Sequence, residues 1–297
     1  MLGRLERTLT STLAYGGRMC GRYAATANPD ELVLALEIES DRTGDATRSI
    51  LATPQEPPAG TPDYNLAPTK QAPVAMTRAP RAEPDADPQR QLRLLTWGLV
   101  PSWAKDTRGA PRMINARAES VLAKPAFRRA AESRRCLVPA AGWYEWQRSP
   151  RAVDAKGAPR KQPFFISRAD QALCAFAGLY EFWRDPAAAD PDNPLAWVVS
   201  FTILTIAAEP GLDRIHDRQP LVLERADWAR WLDPGRRAEE VIDLLGEAAP
   251  GRFAAYPVSR AVSSNRANGP RLLDPAPVEE LIGVLDPVTG EIIGCVR

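Results

Sequence analysis

Proline and glycine set the grain of this chain. There are 29 prolines and 19 glycines among 297 residues, and they flank most of the apolar runs in its middle, which keeps those runs short. Such runs fall at 72–76, 92–99, 135–138, 164–167, 173–179 and 197–206, and their content predicts short antiparallel strands. Helical signals lie toward the ends. Asn28 supplies an N-cap, Pro29 the first helical position and Asp30 and Glu31 an acidic first turn, ahead of Leu32, Val33, Ala35, Leu36 and Ile38, so a helix of about three turns is predicted there. Two more are predicted at 226–232, where Trp228 and Trp231 stand three apart, and at 236–246, where Val241, Leu244 and Leu245 share a face. Stretches 40–62, 78–90 and 184–195 read as surface loops. A strand-rich middle with helices at both ends, and no β-α-β rhythm, predicts an α+β fold. No repeat and no shift in composition marks a domain boundary.

Charge gives no argument at the level of the whole chain. Lys and Arg total 38 against 37 Asp and Glu, with 44% hydrophobic residues, the balance of a soluble globular protein. Residues 1–18 lack the apolar core of a signal peptide or membrane helix. The four cysteines, at 20, 136, 174 and 295, form no CxxC pair and are joined by a single histidine, so neither a zinc site nor a disulfide framework is expected. These features point to a cytoplasmic protein that does not enter the membrane. Locally the picture differs: residues 101–168 hold fifteen basic residues against five acidic ones. In and beside this block stand Trp97, Trp103, Phe127, Trp143, Tyr144 and Trp146. Bases stack on aromatic faces while Arg tracks phosphates, so the pattern suits single-stranded nucleic acid; a solvated basic surface over buried aromatics is the plainer alternative.

Five residues could carry chemistry. Glu145, amid Trp143, Tyr144 and Trp146, is a carboxyl whose proton affinity an apolar setting would raise, as a general acid requires, or else a partner for a nearby Arg. His216 follows an apolar strand and precedes the run 221–223, a common place for a site mounted on a sheet and equally open to a structural histidine. Asn115 and Arg117 are two apart, so on a strand both face one side. Cys20 follows Met19. Inside a chain it is a small core residue, but at a chain terminus it becomes a 1,2-aminothiol. An α-amine near pKa 7.8 is roughly 14% unprotonated at pH 7, against roughly 0.04% for a lysine. It can condense with an aldehyde, after which the thiol closes a thiazolidine.

Several separated blocks resemble one family. Met19-Cys20-Gly21-Arg22-Tyr23, Tyr64-Asn65-Leu66-Ala67-Pro68, Trp97-Gly98-Leu99-Val100-Pro101-Ser102-Trp103, Ile114-Asn115-Ala116-Arg117-Ala118-Glu119, Gly142-Trp143-Tyr144-Glu145-Trp146 and Ile215-His216-Asp217-Arg218 occur in the order of the SOS-response-associated peptidase (SRAP) family. Pro257-Val258-Ser259-Arg260-Ala261-Val262 is similar too. The resemblance implies one α+β domain over 19–275 with a barrel-like antiparallel sheet and flanking helices, preceded by an extension over 1–18 and followed by a C-terminal tail over 276–297. It implies a monomer that shields abasic sites in single-stranded DNA through a covalent, reversible thiazolidine, with no metal or other cofactor, located in the cytoplasm and on the nucleoid when bound to DNA.

By the same resemblance Cys20 is the nucleophile, Asn115 orients the adduct, Glu145 moves protons and His216 assists sugar opening and release. Arg22 and Arg117 would hold phosphates, and Asn65, Pro68, Trp103, Trp146 and Arg218 would line the DNA channel. Two positions depart from the family pattern: Ala104 follows Trp103 where some members carry a second Trp, and Gln219 stands where Arg or Met is common. As long as residues precede Cys20 its nitrogen is an amide, so translation starts at Met19, the extension is removed by proteolysis with Cys20 as nucleophile, or the activity is absent. A thiol peptidase using Cys20 and His216, and a non-covalent binder of single-stranded DNA, are the alternative functions.

Overall fold

The structure is a computed structural model and describes residues 21–80, 83, 85–190, 192–246 and 250–294. Its strands, in chain order, are β1 (Tyr23–Ala25), β2 (Ser40–Asp41), β3 (Asp63–Leu66), β4 (Gln71–Arg78), β5 (Gln89–Trp97), β6 (Asn115–Arg117) and β7 (Arg135–Ala140). There follow β8 (Gly142–Val153), β9 (Pro159–Arg168), β10 (Cys174–Arg184), β11 (Trp197–Ala207), β12 (Arg218–Pro220) and β13 (Phe253–Pro257). The helices are α1 (Pro29–Ala35), α2 (Pro125–Ser133) and α3 (Arg225–Leu232). The fold is α+β, as expected.

Two sheets share one core. An open sheet runs β13-β9-β8-β1-β3. In the other, β11, β10, β7, β4 and β5 pair in succession, and β5 pairs back onto β11, closing a five-stranded barrel. Closure rests on a two-residue parallel ladder, Ser200 beside Thr96 and Phe201 beside Trp97. Three pairings of this sheet are thus parallel, β5 with β11, β6 with β11 and β2 with β5, within an otherwise antiparallel fold.

The alternation of β10 shows how sequence becomes layer. Cys174, Phe176 and Tyr180 join the core between barrel and open sheet, while Ala175, Ala177 and Leu179 join the core beneath the helices, the period of two expected of a strand buried on both faces. Aromatic edges bind the two sheets: Tyr23 lies 5.1 Å from Trp97, and Trp143 lies 5.9 Å from Phe176, both edge to face.

Local expectations hold unevenly. α1 begins as predicted, with a reciprocal capping box between Asn28 and Glu31, but stops after two turns. Beyond it Glu37 adopts φ 55° and the Glu39 amide donates to the Arg90 carbonyl, so the chain is drawn onto the edge of β5. α3 matches its prediction. The predicted helix over 236–246 is instead two short 3-10 turns, Ala238–Glu240 and Ile242–Leu245. α2 was not among the predicted helices although it buries Phe127, Ala130 and Ala131 at helical spacing, and β8, the longest strand, has no clean apolar–polar alternation: its inward face includes Glu145, Gln147 and Ser149, all buried. Residues 276–294 pack on this strand, where the Gln147 amide brackets Leu285 by donating to its carbonyl (2.8 Å) and accepting from its N–H (2.9 Å). Among the described residues no helix is long and apolar enough to cross a membrane.

Gly142 starts β8 where only a hydrogen fits. A Cβ there would stand 2.3 Å from the Ile166 carbonyl oxygen and 2.6 Å from the Phe165 ring. Gly142→Ala is expected to destabilise the protein by about 1–3 kcal/mol, the cost of overpacking, read as a lowered midpoint in urea unfolding.

Candidate nucleic-acid interface

The short strand β1 fixes the first half of the site. Tyr23 pairs with both Trp143 and Leu66, and the Tyr144 amide donates to the Arg22 carbonyl at 3.0 Å. This antiparallel register carries Arg22 and Gly21 along β8 in the direction of Glu145. Cys20 itself lies outside the described residues. Glu145 is 3% exposed and sits cross-strand from the buried Phe164.

Arg22 and Asn65 grip the same turn. The Arg22 guanidinium donates to Asn65 Oδ1 (2.9 Å) and to the Val262 carbonyl (3.2 Å). The Asn65 amide nitrogen donates to the carbonyls of Val262, Ser264 and Ala267. Asn65 is only 1% exposed, so it acts here as a bracket for Arg22 and the 262–267 turn. Burial lowers the pKa of Arg22 against an opposing pull from Asp63, and the group stays a cation at neutral pH. Trp146, half-buried, joins the same turn through its indole N–H to Ser263 Oγ at 3.0 Å. Pro68 is half-buried just beyond β3. Trp103 is 68% exposed, on a loop that Trp183 holds by donating its indole N–H to the Ala104 carbonyl at 2.7 Å.

The second half is assembled on the C-terminal end of β11. β6 lies parallel to it, with Asn115 beside Ile203 and Arg117 beside Thr205. The Trp97 indole donates to the Ile114 carbonyl at 2.9 Å, so the barrel core positions Asn115 directly. Arg117 is exposed. Arg218, on β12, donates to both Glu119 carboxylate oxygens (2.7 and 2.8 Å) and to the Thr205 carbonyl (2.6 Å). The two halves meet where Gln147 of β8 donates to the Arg214 carbonyl at 3.2 Å, in the turn leading to His216.

His216 is held in one protonation state. The Arg218 amide donates to its Nδ1 at 3.1 Å. An Nδ1 lone pair engaged in this way has no proton for Asp217, whose carboxylate lies 3.0 Å from the same atom and is largely exposed. Burial is the leading cause of a lowered pKa; the Asp217 charge and the hydrogen bond with the Arg218 backbone oppose it, and the charges of Arg148 and Arg218 reinforce it. The imidazole is therefore neutral at pH 7, with its proton on Nε2, a donor rather than a base at that atom.

Two cysteines can be set aside as nucleophiles. Cys136 and Cys174 are buried; burial pushes the Cys136 thiol well up and that of Cys174 to about 12, so neither forms thiolate near neutrality. Among the described residues no group of three His, Cys, Asp or Glu side chains could hold a metal ion.

Residues 19–265 match the family model described as SOS response associated peptidase (SRAP). The chain belongs to the SRAP family. It is 34% identical to the abasic site processing protein YoqW of Bacillus subtilis, over 86% of this chain and 99% of that one. To YedK of Escherichia coli, also named an abasic site processing protein, it is 32% identical over 86% of this chain and all of the other. HMCES of Mus musculus, of the same description, is 29% identical over 87% of this chain and 76% of its own length. A crystal structure of a Bacteroides thetaiotaomicron protein shares the fold, with a TM-score of 0.66 at 22% identity, covering 86% of this chain and all of that one.

Within this SRAP domain, Gln147, Glu119 and Ser263 join the cluster without having been singled out on sequence. Glu119 and the 257–262 segment stood inside recognisable blocks; Gln147 carried no signal, because a buried glutamine looks like a surface residue in one dimension.

Two measurements follow. His216 is the only histidine, so one imidazole resonance reports its titration, and the midpoint is expected below 6.5, the ordinary value. With the folded pKa depressed, protons favour the unfolded chain: this contribution to stability is whole above about pH 6.5 and declines as the pH falls through the folded value. A midpoint at or above 6.5 overturns the depression of this pKa by burial. In alkylation at pH 8 followed by peptide mapping, Cys136 and Cys174 are expected to stay unmodified in native protein and to react in urea.

Proposed function

We propose that this protein captures abasic sites in single-stranded DNA through Cys20, in a form whose chain begins at that residue. The observation that carries the reading is the register of β1 on β8, which runs the residues directly after Cys20 along the strand bearing the buried carboxylate of Glu145. The names of its relatives as abasic site processing proteins support it.

In the proposed reaction the Cys20 amine attacks the C1′ aldehyde of the ring-opened deoxyribose, and the carbinolamine loses water to give an imine. The thiol sulfur then bonds to the imine carbon as its proton passes to nitrogen, closing the thiazolidine; one water leaves and nothing is oxidised. Glu145 carries the protons of dehydration. Asn115 orients the adduct, and the neutral His216 donates from Nε2 to the sugar oxygen during opening and reversal. Arg22 and Arg117 take the flanking phosphates as charge-assisted partners, with Trp103 and Trp146 offering faces for the neighbouring bases and Pro68 and Arg218 at the margins of the track. Where residues precede Cys20, transfer of the Met19 acyl group from nitrogen to the Cys20 sulfur and hydrolysis of that thioester would free the amine. The protein acts as a monomer in the cytoplasm, with 19–275 as the working domain.

Protein translated from Met19 and the 297-residue form, each mixed with a single-stranded oligonucleotide bearing one abasic site, are separated on a denaturing gel. A heat-stable shifted band is expected from the short form and none from its Cys20→Ala variant. Glu145→Gln is expected to slow band formation about 10²-fold, the lower end for loss of a general acid-base group. Equal crosslinking by Cys20→Ala would sink the proposal, and salt-sensitive retention of DNA without any covalent product would identify a binder instead.

A further inference from the structure

The barrel has a second, unassigned feature at its other end. β5 and β11 pair only at Thr96–Trp97 and Ser200–Phe201; on the N-terminal side of β11 a cavity of about 360 Å³ opens between them, within the range of small-molecule sites. β7 begins at Arg135, opposite Leu179, so β10 runs on past it and presents Phe182 to the same opening. Measured along β11, Trp197 is eight residues from Thr205, about 26 Å at the rise of an extended strand, so this mouth is remote from Arg117 and Arg218.

The lining combines three kinds of group. Its floor is apolar, with Leu95 and Val199. Its walls are the half-buried rings of Phe182 and Trp197. Around the rim stand the guanidinium groups of Arg42, Arg78 and Arg93 against one lining carboxylate, Asp45, which pairs with Arg93 at 2.6 Å. Arg78 lies 4.7 Å from the Phe182 ring centroid, a cation–π contact that holds this wall of the mouth in place and leaves the ring positive at its border. The Thr47 hydroxyl, also in the lining, is buried and has no hydrogen-bond partner among the described residues, a cost that a bound polar atom would relieve.

We propose that this barrel mouth binds a small aromatic anion, a one- or two-ring system carrying a phosphate or carboxylate. The ring enters between Phe182 and Trp197, the anionic group meets Arg42 and Arg93, and a ring or linker heteroatom bonds Thr47. Nucleoside monophosphates and aryl carboxylates share this chemistry. The site is independent of Cys20 and of any DNA reaction.

The test is an NMR titration of the full chain labelled with ¹⁵N-tryptophan, following the Trp197 indole resonance assigned with Trp197→Phe. Adenosine 5′-monophosphate and indole-3-acetate represent the two sources; ribose 5-phosphate and indole are the charge-only and ring-only controls. At least one aromatic anion is expected to shift Trp197 saturably with a Kd below about 1 mM, each control binding at least about tenfold more weakly. Arg42→Gln with Arg93→Gln should weaken binding about tenfold, the loss of a charged hydrogen bond, and Thr47→Val should weaken it independently while the other indole resonances report an intact fold. Which probe wins separates phosphate from carboxylate. No saturable shift from either, or equal binding of a control, or full affinity in the arginine double variant, overturns the proposal.

Discussion

The short parallel ladder between β5 and β11 is the contact on which the rest depends. It is two residues long, and its strength comes from what flanks it: Trp97 stacks on Phe201 with centroids 6.4 Å apart, meets Tyr23 edge-on, and donates its indole N–H to Ile114. At Gly98, with φ 130°, the chain turns away from the ladder so tightly that a Cβ would lie 2.5 Å from the Ala110 carbonyl oxygen. Because β5 leaves there, the C-terminal half of β11 is free to take β6, and with it Asn115 and Arg117. Because the ladder does not extend the other way, the opposite mouth stays open.

Much of the barrel was legible in the sequence, since strands buried on both faces are continuous apolar runs and β4, β7, β10 and β11 each contain a predicted one. The open sheet was less so. From Glu145 onward β8 alternates buried Glu145, Gln147 and Ser149 with the more exposed Trp146, Arg148 and Pro150, and polar groups on the inward face erase the contrast on which periodicity relies. Barrel closure was invisible for another reason: it joins residues about a hundred positions apart, and no local preference encodes that.

The candidate site divides along similar lines. Its residues could be named because they stand in dense blocks, but their work differs from what residue type suggests. Asn65 is an internal bracket rather than a surface contact, and His216 has its Nδ1 occupied by the backbone. Such roles depend on which neighbour arrives from elsewhere in the chain: the 262–267 turn in one case, the start of β12 in the other.

The pairing of Arg218 with Glu119 bears on how this surface would respond to ionic strength. A guanidinium already matched by both oxygens of a carboxylate brings its own counter-charge, so a phosphate that reached it would displace Glu119 and liberate fewer ions from the polyanion than one meeting an open arginine. Arg117, exposed on β6 across β11 from β12, has no such role in Glu119's bidentate grip. Two arginines on strands that flank β11 would thus differ in what they contribute, one a fixed strut whose charge is internally balanced, the other a source of salt-dependent attraction.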